Sequence, residues 1–346
     1  MMFNFVGDIN FSDAFFDVGC GIGTKIQNGI DPFKYCNFVH KDVYIGNLEC
    51  VIANKTNKKG IYAKQFIIEP NWVDKIISTF DIYSISNNHV LEHGADAYQT
   101  MCNYLKHKKR TIVGNSENRH CIYVKEGIRL GIVSWSLRND WFCKSPKEYF
   151  FRPNETQLLN ELNNIKDCDI KITLIHWGEE FIQFPSLEQQ KYGKYLIDLG
   201  FNLVIGHHSH TLQGYEDYNG GRIYYSLGNF LFDIAYKKTR YSAIVSIRYI
   251  NNKIIFNHQY IKQNKDGFPV KVSEVEVPNE YKFSYLNELI NTKTEKMSIF
   301  EYNKNVKKEL KNYQKVNYLS FTKSIFKGSI INKIQLIIDF IKRKFN

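Results

Sequence analysis

Ile205-Gly206-His207-His208-Ser209-His210-Thr211 is the stretch on which the reading of this chain turns. It follows an apolar run, Phe201 to Ile205, that reads as a short buried strand after a helix ending near Gly200. Three histidines in four positions straight after such a strand are poorly explained as core packing. Neutral imidazoles on a loop at a strand's carboxyl end suit a borderline metal such as zinc, manganese or iron. A surface loop that is rich in histidine by composition is the plain alternative.

Working outward, strand-like apolar runs alternate with helical patterns, which predicts an α/β layered architecture. The first strand runs to Gly7, a second covers Val43 to Gly46, and a third, Ile82 to Ser86, leads into Asn87-Asn88-His89. A helix is expected from Pro70 through Ile76-Ile77, where proline suits a first turn, and another over Gly94 to Lys108. Cys121–Lys125 and Arg129–Trp135 flank Glu126-Gly127 as a hairpin. Pro153 opens a helix, Ile170 to Ile175 is a strand ending at His176, and Leu187 to Leu199 is the helix that delivers the chain to the histidines. Two more hairpins are expected around Asn219-Gly220-Gly221 and Asn251-Asn252. The Asn-Lys-Asp-Gly stretch at 264–267 marks a domain boundary, giving residues 1–265 as the main domain and 266–346 as a basic, mostly helical extension.

Composition narrows the function classes. The 346 residues carry a net charge of +11, but from Tyr281 onward 14 Lys/Arg face 5 Asp/Glu, so the tail holds +9 and the body about +2. The body is therefore not a basic nucleic-acid binder, and no nucleic-acid partner is expected. Seven scattered cysteines with no C-x-x-C pair argue against a disulfide framework or a thiolate zinc site and suit a reducing compartment. The N-terminus reads as a first strand without signal-peptide character, and no apolar run reaches the ~18 residues that span a bilayer, so the expectation is cytoplasmic.

Five predicted loops place metal-ligand atoms just after strands: Asp8, Glu49, Asn88-His89, His176, and His208 with His210. In layered α/β folds, sites assemble beyond the strands' carboxyl ends, so these loops can meet. A carboxylate bridging two cations ~3.5–4 Å apart is the geometry of two-metal hydrolases. Each residue also has a dull reading, as a turn aspartate, a turn amide or a satisfied histidine.

The ordered set Gly7-Asp8, Asn47-Leu48-Glu49, Asn87-Asn88-His89, His176-Trp177-Gly178-x-Glu180, Gly206-His207-His208-x-His210 and Ser226-Leu227-Gly228-Asn229-Phe230 resembles the CapA family of capsule or poly-γ-glutamate biosynthesis proteins. The similarity covers about residues 3 to 233. It implies a calcineurin-like metallophosphoesterase fold, a layered α-β-β-α sandwich, with two divalent ions (Mn, Fe or Zn). Asp8, Glu49 and His210 would hold one ion and Glu49, Asn88, His176 and His208 the other, with Glu49 bridging. His89 would be the general acid or transition-state stabiliser. Asn10, Asn87, Glu180, His207 and Asn229 would contact substrate or support the ligands. The wider superfamily begins Asp-x-His where this chain has Asp8-Ile9-Asn10, and often uses aspartate where Glu49 stands.

The resemblance implies a metal-dependent, phosphoesterase-like hydrolase acting on a phosphoester or anionic polymer. The alternative is an assembly factor whose degraded site binds a polymer end or lipid-linked intermediate without cleaving it. In the tail, Ile330, Ile331, Ile334, Ile337, Ile338 and Ile341 share a helical face, with Lys333, Lys342, Arg343 and Lys344 elsewhere. Such a helix either rests on an anionic membrane surface or docks on protein.

Overall fold

Phe3 and Phe5 point to one side of the first strand and Asn4 and Val6 to the other, and this alternation sets the layering. The structure, a computed structural model, describes residues 1–14, 17–138, 149 and 151–324, with 334, 337 and 338 beyond them. Strand β1 (Phe3–Ile9) is followed by α1 (Ile22–Gln27), β2 (Val43–Leu48), β3 (Val51–Ile52), β4 (Ile67–Ile68), α2 (Pro70–Val73), β5 (Ile82–Ser84), α3 (Ala95–His107) and β6 (Thr111–Val113). Next come β7 (His120–Lys125), β8 (Ile128–Ser136), α4 (Glu155–Asn164), β9 (Ile170–His176), α5 (Leu187–Asp198), β10 (Leu203–His207), β11 (Tyr215–Tyr218) and β12 (Gly221–Tyr224). The chain continues with β13 (Asn229–Leu231), β14 (Tyr241–Ile250), β15 (Lys253–Gln263), β16 (Pro269–Lys271), α6 (Phe283–Leu289) and α7 (Ile299–Ser324).

Among the described residues these strands form two large sheets and one small pair. The first sheet runs β16-β15-β14-β1-β2-β5-β6, with β13 also beside β1. Its β1, β2, β5 and β6 are parallel, and β14 joins β1 antiparallel. The second runs β11-β12-β10-β9-β8-β7 around a parallel centre of β8, β9, β10 and β12. Phe3, Phe5, Ile45, Ile132, Ile172 and Ile205 fill the space between them. On the outer faces, Val6, Leu48 and Tyr83 pack with Met101 and Leu105 of α3, while Val204 and Ile223 pack with Leu158 of α4 and Leu196 of α5. This is the α-β-β-α sandwich expected from the sequence. Because its central strands are covered on both sides, they read as nearly continuous apolar runs.

The three hairpins form where expected. Glu126 (φ 50°) with Gly127 (φ 79°), Asn219 (φ 45°) with Gly220 (φ 79°), and Asn251 (φ 51°) with Asn252 (φ 60°) supply the left-handed pairs of primed turns. Asn154 and Ser186 cap α4 and α5 with complete capping boxes, so α4 begins at Glu155, just past Pro153. The helix expected over residues 70–77 stops at Val73 and resumes as a short 3₁₀ turn at Ile77–Thr79. That break sits among β-branched residues, and Val73, Ile76 and Ile77 are all turned into the core. Past residue 265, β16 extends the first sheet, and Val277, Tyr281, Phe283 and Leu286 enter the inter-sheet core. Helix α7 docks Tyr302 and Val306 against Ile182. The isoleucine face of 330–341 lies outside the described residues except for Ile334, Ile337 and Ile338, which are helical. No helix among the described residues is long and apolar enough to cross a membrane.

Candidate metal centre

The carboxyl ends of β1, β2, β5, β9 and β10 converge at one edge of the sandwich. Asp8 lies in β1, directly opposite Asn47 of β2 on one side and Asn229 of β13 on the other. Glu49 follows β2, its amide held by the Ile9 carbonyl at 2.8 Å. His176 ends β9 and stands in register with His207, which ends β10. The strand keeps the length of the apolar run Phe201–Ile205 but lies two residues further along, and His207 closes it.

Two glycines allow this convergence. A Cβ on Gly7 would lie 1.8 Å from the Gly228 carbonyl oxygen, and one on Gly206 would lie 2.0 Å from that of Tyr225. The Ser226–Phe230 segment threads between them: Asp8 N donates to Gly228 O (2.9 Å) and Leu227 N to Gly206 O (3.3 Å). It therefore stitches the two sheets together at the site. Beyond β10, His208 (φ 90°) and His210 (φ 57°) both occupy left-handed backbone, a conformation costing about 1–3 kcal/mol that persists where surroundings over-determine it.

Glu49 is the centre of the cluster. It is wholly buried, and its Oε1 has no hydrogen-bond partner. His176 Nε2 stands 3.6 Å from that oxygen, and the Nε2 atoms of His89 and His210 stand 3.9 Å away. His176 Nε2 also lies 2.7 Å from Asn88 Oδ1 and 3.1 Å from His208 Nδ1. Asp8 Oδ2 is 3.5 Å from His210 Nδ1 and accepts the His208 amide at 3.3 Å. Asp8 Oδ1 meets His207 Nδ1 at 3.0 Å. Asp8, Glu49 and His176, and separately Glu49, His208 and His210, offer ligand atoms within 4.8 Å of one another.

A buried carboxylate oxygen with no hydrogen bond is costly unless something else neutralises it. Separations of 2.7 to 3.6 Å among nitrogen and oxygen atoms are those imposed when each bonds a cation at about 2.0–2.2 Å. The donor set, mixed oxygen and imidazole, suits zinc, manganese or iron. The residues present therefore fit a metal.

Charge distribution agrees. Burial drives the imidazoles of His176 and His208 well down, so both are neutral and ready as ligands. Burial pushes the Glu49 carboxyl well up, and the charge of Asp8 adds to it. For Asp8, burial acts upward, but hydrogen bonds from His207 and His210 prevail and hold it well below the usual carboxylate range. For His210, burial acts downward, yet the charges of Glu49 and Asp8 raise it to about 10. Without a cation the cluster retains protons that metal binding would displace.

The supporting residues fall into two groups. Asn229 Oδ1 lies 2.9 Å from His210 Nδ1, leaving Nε2 for the centre, and Asn87 ties Leu48 O (2.8 Å) to the loop carrying His89. Asn10 is engaged within its own loop: its Oδ1 accepts from Ser12 N (2.9 Å) and Ser12 Oγ (2.7 Å). Glu180 is half-buried, close enough for its charge to act on Glu49 and His210. Three contributors carry no role in the sequence reading. Asn47 Nδ2 lies 2.8 Å from Asp8 Oδ1, 3.4 Å from Glu49 Oε2 and 3.4 Å from His176 Nδ1. Its signal was a lone carboxamide within the apolar run of β2. Glu92 Oε2 is 2.7 Å from His89 Nδ1, an i,i+3 pair visible in sequence. Phe66 (φ 53°) stacks on the His89 ring at 3.7 Å, and nothing local announced it.

Fold and cluster define a class: a two-sheet α/β protein with a buried carboxylate, amide and imidazole centre at the carboxyl ends of its parallel strands. The bacterial capsule synthesis protein family, PGA_cap, matches residues 2–234, and the chain belongs to that family. The capsule biosynthesis protein CapA of Bacillus anthracis is 30% identical over 188 residues, 50% of this chain and 45% of that protein. The PGA biosynthesis protein CapA of Bacillus subtilis (strain 168) is 26% identical over 234 residues, 63% of this chain and 61% of that protein. The chain thus spans about half to three fifths of the length of these curated relatives. A solved phosphatase from Mycoplasma pneumoniae aligns with 76% of this chain and 93% of its own at 12% identity and a TM-score of 0.46, too loose a likeness to carry an argument.

Proposed function

We propose that this chain is a metal-dependent hydrolase that acts on a phosphoester, or on an amide of an anionic surface polymer such as poly-γ-glutamate, during capsule biosynthesis. The observation that carries the reading is Glu49 Oε1, buried without a hydrogen bond and ringed by three imidazole nitrogens 3.6 to 3.9 Å away. Asp8, Glu49 and His210 would hold one divalent ion, and Glu49, Asn88, His176 and His208 a second. Bound there, such a pair would acidify a water molecule and neutralise a developing oxyanion.

The chain's own residues supply the rest. His89 sits at the rim, its side chain 15% exposed, with Nε2 turned toward Glu49 and Nδ1 held by Glu92. Stacked on Phe66, the ring cannot swing away, so Nε2 is placed to hand a proton to a leaving group.

Elemental analysis of gently purified protein tests the reading, followed by turnover of chromogenic phosphoesters and then of γ-glutamyl amides. About two equivalents of manganese, iron or zinc are expected, lost together with turnover in Glu49→Ala and in His208→Ala. Full turnover in both variants would sink it. A second reading, a polymer-binding assembly factor without catalysis, draws support from Asn10, whose amide oxygen is committed to Ser12 and is unfit as a ligand. No bound metal after reconstitution would favour that reading.

A further inference from the structure

Helix α7 lies outside the residues that match the family, and its two faces differ sharply. Tyr302, Val306, Leu310 and Tyr313 face the body: the first three pack with Ile182 and Phe184, and Tyr313 stacks on Phe181 at 4.2 Å. Glu309 secures the same side by accepting from Tyr236 Oη (2.6 Å) and pairing with Lys238 (3.0 Å). Lys304, Lys307, Lys308, Lys311 and Lys315 recur at three- and four-residue steps, which places them together on the opposite face. All five are exposed.

They are not alone. Lys293 and Lys296, from the turn that precedes the helix, line the same groove of about 840 Å³, in which Glu301 is the single acidic lining residue. None of these seven lysines forms an ion pair with a carboxylate among the described residues. Like charges three and four residues apart weaken a helix, so the stripe opposes the element that carries it. Asn305 and Asn312 add amide groups to the groove wall.

We infer that this groove is a holding site for a linear polycarboxylate, separate from the metal centre. Lys304, Lys308, Lys311 and Lys315 climb the helix in steps of about 4.5–6 Å, with Lys307 one residue before Lys308, and Lys304 to Lys315 span about 16 Å, which matches several units of a chain with one carboxylate per unit. A lipid surface is flat and calls for a continuous apolar helix face, but Tyr302, Val306, Leu310 and Tyr313 of α7 are spent on Ile182, Phe184 and Phe181, and its exposed apolar residues Ile299, Phe300, Tyr318 and Leu319 stand apart toward the two ends of the helix. A concave, polar, lysine-lined groove suits a single extended polyanion better. The choice of a polycarboxylate over other polyanions rests on the proposed role in surface-polymer biosynthesis. The inner side of the same helix leans on Phe181, whose ring lies 6.0 Å from His210, so a polymer held outside would stay close to the reaction centre.

Fluorescence anisotropy with labelled polyglutamate of about fifty residues tests this, alongside free glutamate, anionic phospholipid vesicles and a single-stranded oligonucleotide. The full chain should bind polyglutamate, ignore free glutamate, and lose affinity steeply as salt rises. The triple variant Lys304→Glu/Lys308→Glu/Lys311→Glu should bind at least tenfold more weakly while keeping its metal content and its far-UV circular dichroism. The matching triple lysine-to-arginine variant should bind as the native chain does. Glu49→Ala should lose metal and turnover yet retain the polymer, so failure of the hydrolase reading stays distinct from failure of this one. Undiminished binding by the triple glutamate variant, or tighter binding of vesicles or oligonucleotide than of polyglutamate, would overturn it.

Discussion

Replacing Asn47 by alanine tests whether the cluster is a metal site held in shape by its neighbours. The Asn47 amide nitrogen touches three proposed ligands, at 2.8 Å from Asp8 and 3.4 Å from Glu49 and His176, while its oxygen accepts from Asn87 at 3.2 Å. Removing it leaves Asp8 Oδ1 with His207 and Asn87 Nδ2 with Leu48 O. Of these four buried contacts the two shortest, to Asp8 (2.8 Å) and from Asn87 (3.2 Å), have ordinary hydrogen-bond lengths; at about 0.5–1.5 kcal/mol each, their loss should lower the unfolding free energy by about 1–3 kcal/mol. Loss of an orienting partner typically weakens metal affinity by about 10–100-fold, equivalent to about 1.4–2.7 kcal/mol. Urea titration of metal-free protein reads the first quantity, and competition against a fluorescent chelator reads the second. The two should separate, because Asn47→Asp restores an oxygen but reverses the polarity presented to Asp8, and should be worse for metal than alanine. An Asn47→Ala protein within twofold of native metal affinity would refute the reasoning.

Other outcomes follow from the same geometry. Folded His176 and His208 are held neutral by burial, so stability of the metal-free protein is intact above about pH 6.5 and is lost as pH falls below it. His208→Ala should reduce the slope of unfolding free energy against pH between 6.5 and 5 by about 1.4 kcal/mol per unit, read from urea midpoints. His210, raised to about 10, acts oppositely: its contribution is complete below about pH 6.5 and fades as pH approaches 10. Gly7→Ala, whose Cβ would meet Gly228 O at 1.8 Å, should cost more than about 3 kcal/mol, whereas Gly29→Ala, at φ 80° with nothing within 4 Å, should cost about 1 kcal/mol. Calorimetry distinguishes them. Glu92→Gln should lower turnover about tenfold or more with metal content unchanged, since it alters only the partner of His89 Nδ1.

Much of the sandwich was legible because its parallel strands are short apolar runs ending in polar residues, and its hairpins carry Asn-Gly, Asn-Asn or Glu-Gly turns. The residues gathered at the centre were legible for the same reason, as each punctuates the end of a strand. Asn47 escaped because its role depends on register across to Asp8, which no local pattern encodes. Phe66 escaped because β4 brings it to His89 from 23 residues away, and aromatic stacking leaves no periodicity. The break after Val73 reflects tertiary packing overriding a helical pattern. The lysine stripe of α7 was visible as charge, but its groove needed the turn at 290–297 folded beside it.

The proposed ligands divide evenly by sheet: Asp8, Glu49 and Asn88 come from the first, His176, His208 and His210 from the second. A cation bound among them would act as a cross-link between parts of the chain that lie from 88 residues apart, between Asn88 and His176, upward, in the manner of a disulfide that closes a long loop. Half-folded intermediates with only one sheet assembled would lack half the coordination sphere and could not compete for scarce metal. Metal capture would then report that both layers have docked, and a chelator would loosen the whole sandwich at once, since binding free energy is available only to the fully packed state.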